Sequence, residues 1–348
     1  MGMEEKYMAT LVGCAIGDTL GMPVEGWKPA QIKKYAGKVT SLIDPVKVYD
    51  ADGKLAGQDE FGKLKYYSRD LKKGDYTDDT ALTLALAESI AEKKCIDLDD
   101  IAKKQLESLD EYNAKYANSG FGQTTRDALE NIRTGKSPLE SGVIGGPGNG
   151  PAMKMAPLGL YLHAQQSLFG KYSYASGINL AEDISRITHL DPRSIASGIV
   201  QAISVNNLLN NISRDHFIDS VVEICEDVEE PVTLKFRRHE DGNLLSRLEW
   251  VSKNRDASCD EAYGHLKSSS LVYSSHPFTL FMFQKFWDDP IAGLIETVNY
   301  GGDCDTTGAM YGALAGAKNG MIFPEEWVKA TQGVERLTKA AKGIYALR

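Results

Sequence analysis

Apolar residues recur at the spacing of an α-helix along most of this chain. Residues 5–21 follow that pattern and stop before Pro23, which cannot continue a helix. Residues 79–94 carry acids in the first turn and lysines in the last, the polarity that the helix dipole favours. We therefore expect a mostly helical protein. Further helices are predicted at 97–113, 123–134, 152–169, 178–187, 192–211, 215–227, 259–269, 277–287, 289–298, 305–319 and 325–342.

Two stretches interrupt the helical pattern. Residues 40–76 hold Val- and Tyr-rich pieces around Asp52-Gly53, which predicts a hairpin or an irregular excursion. Residues 230–250 look similar and predict a surface insertion. No fixed-period repeat, low-complexity tract or Pro/Ser-rich linker divides the chain. We therefore expect one domain over residues 1–348, with insertions near 40–76 and 230–250.

Six of the 33 glycines fall at intervals of four within two predicted helices. Residues four apart lie on one face of a helix, so each set forms a smooth stripe. Glycine costs about 1 kcal/mol per helical position relative to alanine, and close helix–helix packing would offset that cost. The alternative is that one or both segments are loops. The stripes are Gly13, Gly17 and Gly21, and Gly308, Gly312 and Gly316.

Composition narrows the classes of protein that this chain fits. Of 348 residues, 42% are hydrophobic and 25% are charged, as in an ordinary globular protein. No apolar run approaches the roughly 18 residues of a membrane helix, and the first residues do not resemble a secretory signal. Five scattered cysteines favour a reducing cytoplasm over a disulfide framework. The net charge of −9 would repel duplex nucleic acid, and a monomer is the default expectation.

The sharpest chemical feature is a pair of acidic clusters at the starts of two predicted helices. One is Tyr76-Thr77-Asp78-Asp79-Thr80, and the other is Gly301-Gly302-Asp303-Cys304-Asp305-Thr306-Thr307. Oxygen ligands of this kind suit Mg²⁺ or Mn²⁺, and four acids repel one another unless a cation or a proton intervenes. The alternative is two ordinary helix N-caps, where Asp and Thr are favoured anyway. A Cys/His zinc site is disfavoured, because no histidine pairs at ligand spacing with another histidine or a cysteine.

A glycine-rich loop at 142–150 leads into a predicted helix. Its backbone N–H groups could cradle an anion such as pyrophosphate, and a flexible connection is the alternative. Three further features carry no functional signal by themselves: Glu25 after the first helix, the turn Gly120-Phe121-Gly122, and His189 before another helix. A lone glutamate is usually a solvated surface residue, and a lone histidine in that place is usually structural.

Taken in order, these motifs resemble the ADP-ribosylglycohydrolase family. Five or six motifs in the correct order, spread over nearly the whole chain, make the resemblance highly specific. Two departures are mild: Lys154 stands where many members have arginine, and Cys304 where many have threonine between the aspartates. The motifs are 13–25 (GCAIGDTLGMPVE), 77–80 (TDDT), 120–125 (GFGQTT), 148–159 (GNGPAMKMAPLG), 188–189 (TH) and 299–306 (NYGGDCDT).

The resemblance implies an all-α fold, a compact orthogonal multi-helix bundle with a central di-metal cleft and small irregular or β excursions. Two divalent cations, Mg²⁺ or Mn²⁺, would lie in that cleft. Glu25 falls on the family's mobile-loop glutamate, and it is a candidate catalytic residue together with Asp78, Asp79 and Asp303. The implied metal ligands are Thr77, Asp78, Asp79, Asp303, Asp305 and Thr306. The implied substrate-binding residues are Gly120, Phe121, Gly122, Gly145, Gly146, Pro147, Gly148, Asn149 and His189.

We therefore expect a metal-dependent hydrolase that cleaves the N- or O-glycosidic bond at the anomeric ribose carbon of an ADP-ribosylated substrate and releases ADP-ribose. The expected substrate is a modified protein side chain or a small ADP-ribosyl compound. One alternative is a two-metal phosphohydrolase, which would release phosphate instead. The other is a catalytically silent ADP-ribose-binding or structural protein on the same scaffold. The presence of all six implied metal positions speaks against that second alternative.

Overall fold

The computed structural model of the protein describes residues 2–49, 55–58, 64–65, 71–116, 120–169, 174–236 and 243–348. In these ranges the chain forms helices α1–α18 and three short strands, β1–β3. The helices are α1 Met3–Gly21, α2 Pro29–Tyr35, α3 Asp78–Lys93, α4 Leu98–Lys115, α5 Gln123–Arg133, α6 Pro138–Ser141, α7 Gly150–Lys154, α8 Ala156–Phe169, α9 Tyr174–Arg186, α10 Pro192–Leu209, α11 Arg214–Phe236, α12 Leu244–Lys253, α13 Cys259–Leu266, α14 Val272–Lys285, α15 Pro290–Asn299, α16 Cys304–Asn319, α17 Glu325–Ala330 and α18 Val334–Tyr345. The strands are β1 Val48–Tyr49, β2 Leu55–Gln58 and β3 Leu64–Lys65.

The expected all-α fold is confirmed, with a small β excursion in the predicted place. β2 pairs antiparallel with both neighbours, in the registers Val48↔Ala56 and Gln58↔Leu64. The rest of that excursion, residues 50–54, 59–63 and 66–70, lies outside the described residues. Within the described ranges, no helix has both the length and the apolar character needed to cross a bilayer.

Helices α1 and α16 pack against each other more extensively than any other described helix pair. The two glycine stripes form this contact, which confirms the prediction of close packing. A Cβ added at Gly17 would lie 1.8 Å from the carbonyl oxygen of Gly308, and one at Gly312 would lie 2.0 Å from that of Gly13. Only helices without side chains at these positions can approach so closely. The contact places the N-terminal end of α16 against the C-terminal half of α1.

Several predicted helices have different bounds in the structure. The one predicted over 152–169 is divided into α7 and α8 at Met155. The helix predicted to start at Pro277 starts at Val272, so the proline lies inside α14. Proline removes one backbone donor but fixes a φ that a helix accepts, and burial of the surrounding residues keeps the helix intact. The helix predicted over 325–342 is divided into α17 and α18. Gly333 interrupts it, because its φ of +75° lies in the left-handed region.

The predicted insertion at 230–250 is helical at both ends. Helix α11 continues to Phe236, and α12 begins at Leu244. Asn243 caps α12 by accepting a hydrogen bond from the Ser246 N–H at 2.8 Å. Residues 237–242 lie outside the described residues. The sequence prediction missed both helix ends, because this polar stretch shows no apolar spacing typical of a helix.

Candidate active site

The first acidic cluster opens α3. Thr77 is the N-cap, and its hydroxyl oxygen accepts from the Asp79 N–H at 3.4 Å. Asp78 and Asp79 follow in the first turn, where the helix dipole favours carboxylates. Asp79 is buried and Asp78 is partly exposed. The start of α3 therefore holds one carboxylate inside the protein and one at its edge.

The second acidic cluster opens α16, after a turn made by two glycines. Gly301 and Gly302 have φ values of +67° and +66°, which glycine adopts without strain. A Cβ on Gly302 would lie 1.7 Å from the carbonyl oxygen of Ser268. The Asp303 N–H donates to that same carbonyl at 2.8 Å. This turn fixes Asp303 at the N-cap of α16 and Asp305 in its first turn.

Tertiary packing brings the two clusters together. The Thr306 hydroxyl donates to Asp79 Oδ2 at 3.2 Å, and the Thr77 hydroxyl donates to the same oxygen at 3.0 Å. The carboxylate oxygens of the site form two groups, each with members within 4.8 Å of one another. The groups are Asp18, Asp79 and Asp305, and Glu25, Asp303 and Asp305.

Asp18, in the apolar helix α1, positions the first cluster. Its carboxylate accepts from the Thr77 N–H at 3.0 and 3.1 Å, from the Thr80 N–H at 3.1 Å and from the Thr80 hydroxyl at 2.6 Å. Burial raises the pKa of Asp18 to about 6. Through these hydrogen bonds Asp18 holds α3 in place, and its carboxylate also belongs to the first of the two groups. The sequence prediction missed it, although a carboxylate between two glycines of the apolar part of α1 was a signal.

The clustered carboxylates repel one another. Burial raises the pKa of Asp79 well above its usual value, and the charges of Asp18 and Asp78 raise it further. Burial also raises the pKa of Asp305, with the Glu25 charge as the next cause. Asp79 Oδ1 is buried and has no hydrogen-bond partner within the described ranges. Divalent cations would relieve the repulsion and give this oxygen a partner, so the residues fit a metal site.

His189 forms part of the opposite wall, next to the glycine-rich loop. Added Cβ atoms at Gly148 and Gly150 would lie 3.1 Å and 2.5 Å from its ring, so both glycines make room for the imidazole. The Thr188 hydroxyl accepts from the buried Lys154 Nζ at 2.8 Å and lies 2.9 Å from His189 Nδ1. Donation of the hydroxyl proton to Nδ1 would make Nε2 the N–H donor of the ring. Burial lowers the pKa of His189 to about 3, and the Lys154 charge adds to this, so the ring is neutral.

Most of the predicted site residues line one cleft of about 360 Å³. Asn149 connects two of its walls, because its side-chain N–H donates to Asp303 Oδ2 at 2.6 Å. The glycine-rich loop is therefore tied directly to the second acidic cluster. The predicted residues that line the cleft are Glu25, Asp78, Asp79, Gly120, Gly122, Gly146, Gly148, Asn149, His189, Asp303, Asp305 and Thr306.

Four predicted residues are not among those that line the cleft. Thr77 is buried and bonded to Asp79. The Phe121 side chain packs in an apolar cluster, with its ring centre 5.6 Å from that of Tyr112. The remaining two are Gly145 and Pro147. Thr77 and Phe121 therefore support the lining residues from the protein side, whereas Gly145 is exposed and Pro147 is partly exposed.

Seven residues that the sequence prediction did not assign also line the cleft. Residues 123–125 belong to the 120–125 motif, which was a local signal. Ser270 and Leu271 had no such signal, because only the fold pairs them with the glycine-rich loop. The Asn149 N–H donates to the Ser270 carbonyl at 3.2 Å, and Gly148 forms an antiparallel bridge with Leu271. The seven are Gln123, Thr124, Thr125, Gly150, Met153, Ser270 and Leu271.

The helical fold and the acidic cleft beside a glycine-rich loop define a helical enzyme with a metal-compatible active site. The family model described as ADP-ribosylglycohydrolase matches residues 1–348, and the chain belongs to that family. The protein is therefore an enzyme of the ADP-ribosylglycohydrolase type. Named members of this family are ADP-ribosyl hydrolases.

Individual relatives agree with this assignment. The chain is 28% identical over 337 residues to an ADP-ribosyl-[dinitrogen reductase] glycohydrolase of Rhodospirillum rubrum, covering 96% of this chain and 93% of the relative. It is 24% identical over 366 residues to the ADP-ribosylhydrolase ARH3 of Mus musculus, covering 98% and 91%. A solved ADP-ribosylglycohydrolase-related protein complex has the same fold, with a TM-score of 0.68, 24% identity and coverage of 99% and 98%.

Proposed function

We propose that this protein is a metal-dependent hydrolase that cleaves the N- or O-glycosidic bond at the anomeric ribose carbon of an ADP-ribosylated substrate. It releases free ADP-ribose. One observation carries the proposal: a single cleft contains the acidic starts of α3 and α16 and, on another wall, the glycine-rich loop with His189. The names of the relatives, both hydrolases of ADP-ribosyl groups, support the same reaction class.

The glycine-rich wall suits the pyrophosphate. Within the loop, the Gly148 N–H donates to the Gly146 carbonyl at 2.8 Å and the Asn149 N–H to Ser270, so these two donors hold the shape of the loop. We assign the pyrophosphate to the Gly146 N–H and to the His189 Nε2–H. A neutral N–H donor and backbone amides bind an anion without needing a basic side chain. This explains how an acidic protein can bind an anionic ligand.

The acidic wall suits divalent cations, Mg²⁺ or Mn²⁺. When bound, two such ions orient the ribose hydroxyls and lower the pKa of a water molecule. The ligand set would combine carboxylates from both helix starts, since Thr306 already joins those starts through Asp79. The residues that would hold the ions are Asp78, Asp79, Asp303, Asp305 and Thr306. Thr77 would orient Asp79 or serve as a further ligand.

Hydrolysis forms a bond between a water oxygen and the anomeric carbon, and it breaks the bond from that carbon to the leaving nitrogen or oxygen. The water loses a proton to a carboxylate, and the leaving atom gains one. We assign both transfers to Glu25, which takes the proton of the water and passes a proton to the leaving atom. Glu25 lines the cleft, is partly exposed and lies beside Asp303 and Asp305. Asp78, Asp79 and Asp303 would take part in catalysis by holding the ions that orient the ribose and the water.

A substrate panel tests the proposal. ADP-ribosyl-arginine, ADP-ribosyl-serine and O-acetyl-ADP-ribose are incubated with Mg²⁺, with Mn²⁺ and with chelator, and free ADP-ribose is detected by chromatography. We expect metal-dependent release from at least one substrate and its loss in Asp303→Ala and Asp305→Ala. The exposed Asp99→Ala in α4 is the matched control and keeps full activity. Release of phosphate instead of intact ADP-ribose would favour the phosphohydrolase, and turnover in chelator would refute the metal requirement.

A further inference from the structure

A second cavity of about 520 Å³ adjoins the cleft, and we name it the basic groove. A thin wall of backbone separates the two. Leu271 lines both cavities. Two pairs of neighbouring residues are divided between them: Glu25 and Asp303 line the cleft, whereas Gly26 and Gly302 line the groove. The Gly26 N–H donates to the Gly302 carbonyl at 2.7 Å and closes this wall. The basic groove is defined by Lys28, Arg247, His265, Lys267, Ser268 and Leu271.

The two adjoining cavities differ in charge. Lys28, Arg247 and Lys267 line the groove, and none of its described lining residues is Asp or Glu. The cleft has five acids among its lining residues and no Lys or Arg among those described. In a chain of net charge −9, a cavity lined only by basic charged groups is a local exception. Such a surface concentrates anionic ligands next to the acidic centre.

The groove also contains a buried polar group without a partner. Ser268 is 3% exposed, and its hydroxyl has no hydrogen-bond partner within the described part of the chain. Buried hydroxyls are normally hydrogen-bonded, so an exception calls for an explanation. The backbone carbonyl of Ser268 accepts a hydrogen bond from the Asp303 N–H at 2.8 Å. The side-chain hydroxyl is therefore the group of this residue that lacks a partner. Ser268 is also a lining residue of the groove, so a ligand carboxylate that displaces the atoms covering this hydroxyl would accept its proton.

Two tyrosine rings that line the groove already pack against other side chains, which favours a peptide over a nucleic acid as the ligand. Tyr263 packs against Tyr300, with ring centres 5.0 Å apart, and Lys267 lies over its ring at 5.5 Å. Arg193 lies over the Tyr273 ring at 5.4 Å. Nucleic-acid strands bind such grooves by stacking their bases on aromatic faces. An acidic peptide needs only the cations and the hydroxyl.

We propose that the basic groove binds an acidic peptide segment that flanks the modified side chain of a substrate protein. This rests on the proposed function, in which Glu25 serves the leaving group and the Gly146–His189 wall holds the pyrophosphate. Leu271 lines both cavities, so a peptide that runs over the dividing backbone from a leaving group beside Glu25 would reach the groove. The groove thus selects the protein part of the substrate, while the cleft selects ADP-ribose.

Binding of unmodified peptides tests the groove without requiring turnover. A fluorescein-labelled poly-glutamate peptide, a poly-glutamine peptide of equal length and a single-stranded oligonucleotide are titrated with the full chain by fluorescence anisotropy. We expect the poly-glutamate peptide to bind about tenfold or more tightly than poly-glutamine. Saturating ADP-ribose should not displace it. Equal binding of the two peptides, tighter binding of the oligonucleotide, or displacement by ADP-ribose would each overturn the proposal.

Variants locate the binding. In Lys28→Gln/Lys267→Gln we expect the preference for poly-glutamate to fall about tenfold, while the exposed pair Lys103→Gln/Lys339→Gln keeps it. Ser268→Ala should weaken peptide binding without lowering the unfolding temperature, because it removes a hydroxyl that makes no bond in the free protein. Unchanged binding in both groove variants would refute the site. Hydrolysis of O-acetyl-ADP-ribose is measured in parallel, so failure of the groove and failure of the hydrolase proposal give different results.

Discussion

The Thr306 hydroxyl lies 3.2 Å from Asp79 Oδ2 and joins the start of α16 to the start of α3. The two residues are 227 positions apart in sequence, so the contact exists only in the folded chain. The Thr77 hydroxyl donates to the same oxygen at 3.0 Å. Asp79 is therefore oriented from both helix starts, and its other oxygen is left for a ligand.

Replacing Thr306 by valine should weaken metal binding. The variant loses the donor that orients Asp79, and it loses a proposed ligand oxygen. We expect about a tenfold or greater loss of Mn²⁺ affinity by isothermal titration calorimetry. Thr306→Ser, which keeps the hydroxyl, should retain most of the affinity. Equal affinities for the valine and serine variants would contradict this role.

Asp305→Asn should change the pH dependence of stability in metal-free protein. The folded-state pKa of Asp305 lies above its unfolded value, so the folded state holds more protons, and stability falls as pH rises through the folded pKa. The variant lacks this loss. At about pH 8 it should exceed the wild type in free energy of unfolding by an amount on the order of 1 kcal/mol, with a smaller difference at about pH 5.

Urea unfolding in chelator at both pH values measures the effect. Asp99→Asn, on the exposed face of α4, is the control and should follow the wild type. An Asp305→Asn variant that tracks the wild type at both pH values would show that the buried carboxylate carries no repulsive cost. Added Mg²⁺ should raise the unfolding temperature of the wild type far more than that of the variant.

Glu25→Gln should lower turnover much more than affinity. The amide cannot take a proton from water, and it keeps nearly the same shape. We expect kcat to fall about a hundredfold or more, while the Kd for ADP-ribose changes by less than about threefold. Single-turnover kinetics and calorimetry separate the two quantities. An unchanged kcat would return Glu25 to the role of a solvated residue at the rim.

Lys154→Met should alter stability in the alkaline range. Burial lowers the pKa of Lys154 to about 7, so above that pH the folded state has released a proton that the unfolded chain still holds up to about pH 10. The wild type therefore gains stability between these values, and the variant does not. The free energy of unfolding of the methionine variant, relative to that of the wild type, should therefore fall by up to about 4 kcal/mol from pH 7 to pH 10.

Urea unfolding at the two pH values, with the exposed Lys339→Met as control, checks the expectation for Lys154. Parallel pH profiles of Lys154→Met and the wild type would show that the lysine stays charged in the fold. The same variant should weaken ADP-ribose binding, because Thr188 loses the donor that sets the proton of His189.

Gly17→Ala should destabilise the protein strongly. The new Cβ would lie 1.8 Å from the Gly308 carbonyl, so α1 and α16 would have to move apart. We expect a loss of at least about 3 kcal/mol, read as a lower unfolding temperature. Gly264→Ala in α13 is the matched control: its Cβ would meet nothing within 4 Å, and helix propensity should make it neutral or stabilising by up to about 1 kcal/mol. Similar unfolding temperatures for the two variants would contradict the close contact.

Local sequence predicted the helices with clear periodicity and the residues at their ends. The starts of α3 and α10, each with a capping aspartate or threonine, agree with the structure to within a residue. Elements without a local signal were missed, such as the short α2 and the ends of α11 and α12 in a polar stretch. The helix over 325–342 was drawn through Gly333, because a glycine in a helical pattern does not reveal its φ.

The sequence by itself determined the helical class, the two glycine stripes and the two acidic helix starts, because each of these is encoded in residues close together in the chain. Only the tertiary structure decided that Asp18 holds α3, that Asn149 contacts Asp303, that Phe121 lies in an apolar cluster, and that Ser270 and Leu271 face the cleft. These relationships join segments distant in sequence. Only the assembled core sets the distances between such segments, because no local pattern in the sequence encodes them.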